Sequence, residues 1–349
     1  MGSFLCSDFI DHQNPLLNFL KSEAFQQIII KSSDPIYLEP TIYKSPSEHK
    51  TLALLTLPLK SHAKFLILSP KLLHYQSNPH INIITLQNFD EIIHKTSLIS
   101  NHLGLGLLFD YHYYSLLDNL ESIARKGLFY KEEEIWYILS SLIQALNYLK
   151  ENGGFHNNIK LNSIAITSDG GLKILPNHLL GKKGLAFYEM QQYLTKDFDY
   201  CYLPPKLLGK LQLGVKIIKK IEKNWKNDVF AIGMIGLELC TLKNTICCFD
   251  FEKMQLNFEK IGFFLENTQE NYSLHLKLFL EEMIKTEEFE ENFLSEKIRT
   301  LENLVSTKLI TISPNLIISL KKSSNFFEEN EEKQEEKPLR EDFFKSHKI

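Results

Sequence analysis

Short β-prone apolar runs broken by turn residues occupy the first third of the chain: Gln27 to Lys31, Ile36 to Tyr43, Thr51 to Leu57, Ile81 to Leu86 and Leu105 to Tyr111. A stretch from Ala63 to Tyr75 reads as a helix set among them. From about residue 115 the period becomes helical. It is clearest at Ile135, Ile138, Leu139, Leu142, Leu146 and Leu149, which keep one apolar face before Gly153-Gly154 ends the run. A strand-rich part therefore precedes a helix-rich part. The tail from about Lys321 to Ile349 is dense in Glu and Lys and has little to bury, so it is expected to be a mobile extension.

Composition narrows the class. The 349 residues are 44% hydrophobic, enough for a sizeable core, and the net charge of -4 carries no basic footprint for nucleic acid. The sequence has no apolar run long enough to span a bilayer. Five scattered cysteines, Cys6, Cys201, Cys240, Cys247 and Cys248, do not make a disulfide framework and fit a reducing compartment. Cys247 and Cys248 lack a second pair at zinc-ligand spacing, so no metal site is expected there. The start, Met1-Gly2-Ser3-Phe4-Leu5-Cys6-Ser7, is no signal peptide. It offers Gly2 for myristoylation, though Cys6 stands where that pattern wants Ser or Thr, and Cys6 for a palmitoyl chain; a cytoplasmic protein is expected, its terminus either an ordinary frayed one or acylated for peripheral membrane attachment.

Three motifs carry a resemblance. Phe155-His156-Asn157-Asn158-Ile159-Lys160-Leu161-Asn162-Ser163, followed by the turn Ser168-Asp169-Gly170-Gly171 and by Leu172-Lys173-Ile174-Leu175, resembles in register the protein-kinase catalytic loop H-R-D-x-K-x-x-N and its hairpin. Tyr202-Leu203-Pro204-Pro205-Lys206 is similar to the end of a kinase activation segment, A-P-E. Lys226-Asn227-Asp228-Val229-Phe230-Ala231-Ile232-Gly233 resembles the start of the long central helix, K-x-D-V-x-S-x-G. The resemblance implies an α+β, bilobal protein-kinase-like fold. A small β-rich N-lobe is expected over residues 25–111 and a larger helical C-lobe over 112–320. An N-terminal extension over 1–24 would precede them and the charged tail over 321–349 would follow.

What the motifs keep is architectural. His156 and Asp228 resemble the pair that ties the catalytic loop to the central helix, the aspartate accepting backbone N–H bonds from the loop. What they lack is chemical, because phosphoryl transfer needs a carboxylate to orient the attacking hydroxyl, oxygen ligands for magnesium and donors on the phosphates. Asn158 stands at the base position, and an amide takes no proton near neutral pH. Ser163 stands for the catalytic-loop magnesium ligand, and Pro176-Asn177-His178 for D-F-G. Lys160 is retained without its aspartate, and Asp169 belongs to an Asp-Gly hairpin. There is no glycine between Gly2 and Gly104, so no glycine loop can approach phosphates, and the corresponding turn is Ser32-Ser33-Asp34-Pro35. Leu55 or Thr56 replaces the V-A-I-K lysine and Lys71 lies near the usual glutamate, leaving Lys50 and Lys60 as the lysines able to reach a ligand. ATP and magnesium are therefore not expected to bind.

Two further expectations follow from the resemblance. Lys206 at the A-P-E glutamate and Glu291 at its arginine predict a charge-reversed pair, with Glu290 as the neighbouring partner. Asn157 removes the arginine that would receive a phosphorylated activation segment, so phosphate on Tyr193, Thr195 or Tyr200 has no cationic partner there. The His-Asn-Asn triplet is also similar to Scy-type kinase-like proteins. The function implied is that of a pseudokinase, a scaffold or allosteric element for a protein partner of unknown identity. The alternatives are an unconventional kinase using displaced residues such as Asp197 and Asp199, and a structural component of a stable assembly.

Overall fold

The computed structural model describes residues 15–28, 40–45, 50–95, 101–176, 179, 202–212, 225–250, 252–285 and 292–310. A first helix, α1 (Pro15–Ser22), leads into five strands: β1 (Gln26–Ile28), β2 (Thr41–Lys44), β3 (Thr51–Pro58), β4 (Leu86–Lys95) and β5 (Asn101–Asp110). Between β3 and β4 runs α2 (His62–Ser77). The strands pair antiparallel in the order β1-β2-β3-β5-β4.

The pleat divides β3 between two cores. Ala53 and Leu55 point with Ile42, Leu105, Leu107 and Phe109 toward Leu72 and Tyr75 of α2, in an apolar cluster that continues into the helical part. Leu52 and Leu54 point the other way, where Leu16 and Leu20 of α1 cover them together with Tyr43, Ile92 and Leu108. Part of the segment expected as an N-terminal extension is thus packed on the sheet. At Gly106 a Cβ would meet Ile92 Cδ1 at 2.2 Å, so the absence of a side chain lets β4 lay Ile92 across its neighbour.

The segment Ile81 to Leu86 differs from its expected strand. Before Leu86, where β4 begins, Ile83 makes an isolated bridge to Ile174, while Ile81 is exposed. Ile84 N–H donates to Ile174 O at 2.9 Å, Ile174 N–H to Asn82 O at 3.0 Å, and Asn82 Nδ2 to Leu172 O at 3.0 Å, so residues 82–84 bind the helical part, and only from Thr85, whose carbonyl accepts Asp110 N–H at 3.1 Å, does the segment join the sheet. The strand itself, β4, reads as polar in sequence, with Gln87, Asn88, Asp90 and Glu91. As an edge strand it is hydrogen-bonded on one side and carries a register shift between Leu86 and Asn88.

Beyond Tyr111 the chain forms β6 (Tyr114–Ser115), α3 (Leu116–Arg125), α4 (Glu132–Glu151), a 3-10 turn (Leu161–Ser163), β7 (Ile164–Ile166) and β8 (Leu172–Ile174). Then come α5 (Pro205–Gln212), α6 (Trp225–Thr241), a 3-10 turn (Thr245–Cys248), β9 (Phe249–Asp250) and β10 (Gln255–Leu256). Helices α7 (Phe258–Asn271), α8 (Leu274–Ile284) and α9 (Phe293–Ser306) close the fold. Ser115 and Asp118 cap α3 reciprocally: Ser115 Oγ accepts Asp118 N–H at 3.2 Å and Asp118 Oδ2 accepts Ser115 N–H at 2.9 Å. The predicted α4 face is buried, and α6 passes through the middle with Val229, Phe230, Ile232, Met234, Ile235, Leu237 and Leu239 enclosed. Gly236 permits the crossing with α8, since a Cβ there would lie 2.2 Å from Leu280 Cδ2. The molecule is α+β and two-lobed, as the motifs imply. Among the described residues no helix is long and apolar enough to cross a membrane.

Candidate functional site

The loop between α4 and β7 starts where Gly153, at φ +63°, ends the helix in the left-handed region. Its residues His156 and Asn157 are fastened by Asp228, in the opening turn of α6. Asp228 Oδ2 accepts His156 N–H at 2.8 Å and Oδ1 accepts Asn157 N–H at 2.6 Å. The carboxylate is 1% exposed, and the N-terminal end of a helix favours negative charge there. Asn157 adopts φ +55°, a conformation asparagine tolerates better than most residues, and its Oδ1 accepts Asn227 Nδ2 at 3.3 Å. His156 is buried, and desolvation pushes its ring down to about 3, so the ring is neutral near pH 7. Neutral Nδ1 accepts Asn158 N–H at 3.2 Å.

Ser163 closes the other end of the loop. Its Oγ accepts Lys160 N–H at 2.9 Å and lies 3.0 Å from both Asn158 O and Lys160 O, to which its proton is donated. The hydroxyl therefore serves the backbone on three sides and is itself buried. Lys160 is also buried. Asn158 Oδ1 is enclosed without a hydrogen-bond partner among the described residues. Pro176, at the end of the strand-turn-strand unit, is buried and its carbonyl accepts Leu179 N–H at 2.9 Å. Asn177 and His178 lie outside the described residues. Asp169 turns the β7–β8 hairpin with Gly170 at φ +85°. The Thr167 hydroxyl donates to it and, with backbone N–H groups, holds its carboxyl below the usual range.

In the five-stranded sheet, Leu55 is buried in the cluster that holds Leu72 of α2, while Thr56 is exposed. Lys71 is half-buried, and burial lowers its ammonium below the ordinary lysine range. Lys50 Nζ donates to Gln87 Oε1 at 3.3 Å, and Gln87 Nε2 to Asp110 Oδ1 at 2.8 Å. Lys60 is exposed and the Ser32–Pro35 turn lies outside the described residues. The C-terminal end of α2 is tied to α4: Tyr148 Oη donates to Asn78 O at 2.6 Å, His74 Nε2 and Asn152 Oδ1 are 2.6 Å apart, and the His80 ring stacks on Tyr148. Among the described residues no three His, Cys, Asp or Glu side chains gather to hold a metal.

Lys206, in the first turn of α5, is exposed, while Glu290, Glu291, Gly2, Cys6, Asp197 and Asp199 lie outside the described residues. One cluster escaped the motif reading. Glu238 of α6 accepts Tyr202 Oη at 2.6 Å, Thr245 N–H at 2.6 Å and Thr245 Oγ1 at 2.8 Å. Burial pushes its carboxyl up to about 7 against these three donors. Its one sequence signal is an acid alone in the apolar run Val229–Cys240.

No protein-family model matches the chain. It is 28% identical to cyclin-dependent kinase 12 of Caenorhabditis elegans over 166 residues, 47% of this chain and 21% of that protein. It is 32% identical to the serine/threonine-protein kinase Nek9 of Mus musculus over 118 residues, 34% of this chain and 11% of that protein. To the STE20-related kinase adapter protein beta of Homo sapiens it is 32% identical over 112 residues, 30% of this chain and 24% of that protein. The chain thus spans less than a quarter of the length of these curated relatives. Distant relatives named as protein kinases, together with the two-lobed α+β fold, support a place for this chain in the protein-kinase superfamily.

Proposed function

We propose that this chain is a pseudokinase, a kinase-fold scaffold or allosteric element that binds a protein partner without transferring phosphate. The observation that carries the reading is the state of the loop between His156 and Ser163. The amide of Asn158 stands where a base would act, and the hydroxyl at the metal-ligand position is engaged by three backbone groups. Pro176 adds no side-chain oxygen, so this donor set does not fit magnesium. On the opposite wall an apolar pairing of Leu55 with the Leu72 cluster replaces cationic contact to phosphates. Loss of a base alone costs about two to four orders of magnitude in rate.

Meanwhile the bonds from Asp228 to the loop and from α2 to α4 are intact, which favours a role for shape. A similar protein named as a kinase adapter supports a partner-binding role. The kinase names of other relatives favour the second reading, weak ATP-dependent transfer by displaced residues.

Thermal-shift titration with ATP, with and without magnesium, and an ATP consumption assay separate the two. No saturable stabilisation and no consumption are expected. Micromolar stabilisation with turnover that disappears in Asn158→Ala would establish the enzyme instead. Attachment to membranes through acyl groups on Gly2 and Cys6 belongs to the same proposal, and the intact mass of protein made in a eukaryotic host reads it directly.

A further inference from the structure

The five-stranded sheet ends in β4, a ten-residue strand with β5 on one side and no second strand among the described residues on the other. An outer row of unpaired backbone groups is the part of a sheet that recruits another strand, most simply the same edge of a second copy turned about a two-fold axis. In β4 that row is occupied from within. Phe89 N–H donates to Asn88 Oδ1 at 2.9 Å, Glu91 N–H to Asp90 Oδ1 at 2.7 Å, and Gln87 O accepts Gln76 Nε2 of α2 at 2.7 Å. Positions 87, 89 and 91 alternate along the strand, and the backbone groups of alternate residues point to the same side of it. Amides bonded to side chains are not in the ladder with β5, so the row they mark is the outer one.

We propose that Asn88 and Asp90 close the outer edge of β4 to strand addition, the partner refused being β4 of a second copy of this chain. A strand arriving there has to displace each Oδ1 from its amide before its own carbonyl can bond, and at Asp90 it exchanges a charge-assisted bond for a neutral one. Neighbouring contacts hold the same stretch in place. His62 Nδ1 lies 2.7 Å from Glu91 Oε2 and the Phe65 and Phe89 ring centroids are 6.4 Å apart, so α2 runs along β4 beside the capped amides, while Ile92 clusters with Leu16 and Leu20 of α1. The register shift between Leu86 and Asn88 falls at the start of this stretch, and an irregular edge is a poor template for a regular strand. Asn88 and Asp90, which make β4 read as polar in sequence, are thus the residues that seal it.

The test uses the full chain. In Asn88→Ala with Asp90→Ala both oxygens are removed and little apolar surface is added. Hydrogen exchange in dilute protein is expected to speed up at the Phe89 and Glu91 amides, by about ten-fold or more at Glu91, where the lost bond is charge-assisted. On concentration this variant is expected to dimerise, its mass from light scattering rising toward twice that of the wild type and both amides slowing again as the edges pair. Asn88→Asp with Asp90→Asn keeps an Oδ1 at each position and the same net charge, and is expected to match the wild type in both readings. The single alanine variants each free one amide and carry the test if the pair does not fold. Exchange unchanged by loss of the oxygens, a mass that follows the wild type's at every concentration, association that leaves both amides fast, or a swapped variant that associates like the alanine one overturns the proposal.

Discussion

Asp228→Asn is the sharpest perturbation of this architecture. The substitution keeps the shape of the side chain but leaves a single carbonyl oxygen where two oxygens now accept His156 N–H at 2.8 Å and Asn157 N–H at 2.6 Å. One charge-assisted bond, worth about 1.5–3 kcal/mol, is lost. The amide NH2 faces the abandoned N–H, and a buried donor without a partner costs about 1–3 kcal/mol more. At 1% exposure water cannot take over, so the sum is about 2.5–6 kcal/mol. For a chain of 349 residues that lowers the melting temperature by roughly 3–8 °C. Urea denaturation read by tryptophan fluorescence measures the free energy, and hydrogen exchange at the His156 and Asn157 amides locates it. A loss under about 1 kcal/mol, or unchanged protection of both amides, refutes the view that this carboxylate fastens the loop.

Two other outcomes follow from the packing around α6. Glu238 is raised to about 7 in the folded protein, so the folded state holds its proton over a pH range in which the unfolded state has released it. Its contribution is therefore greatest on the acid side and declines as pH rises toward and through 7. The stability difference between wild type and Glu238→Gln, from urea melts at pH 5.5, 6.5 and 7.5, should shrink with rising pH, and a flat difference would exclude the titration. Gly236→Ala drives a methyl to within 2.2 Å of Leu280 Cδ2 and should cost about 1–3 kcal/mol by overpacking. An unchanged urea midpoint would mean that α8 shifts freely.

The sequence alone determined the class of the molecule. Periodicity separated a strand-rich part from a helical one, because side-chain direction repeats every two residues in a strand and about every 3.6 in a helix. The spacing from Ile135 to Leu149 marked the buried face of α4 directly. Local pattern misplaced β4 because an edge strand buries little, so its residues carry almost no apolar alternation, while Ile81 and Ile83 look like a strand and join the other lobe. The identities of Asn158, Ser163 and Pro176 were also legible, since the missing carboxylates are a matter of residue type. Tertiary structure alone decided what those residues do in place of chemistry. Ser163 Oγ reaches the backbone of Lys160 and Asn158 only once the 3-10 turn has formed. Asp228 meets the loop across about seventy residues of chain, a separation whose closure only the packed core can compensate. Glu238, Tyr202 and Thr245 converge for the same reason. Pattern reports which faces are buried, but which polar groups meet inside is set by the crossing of elements far apart in sequence.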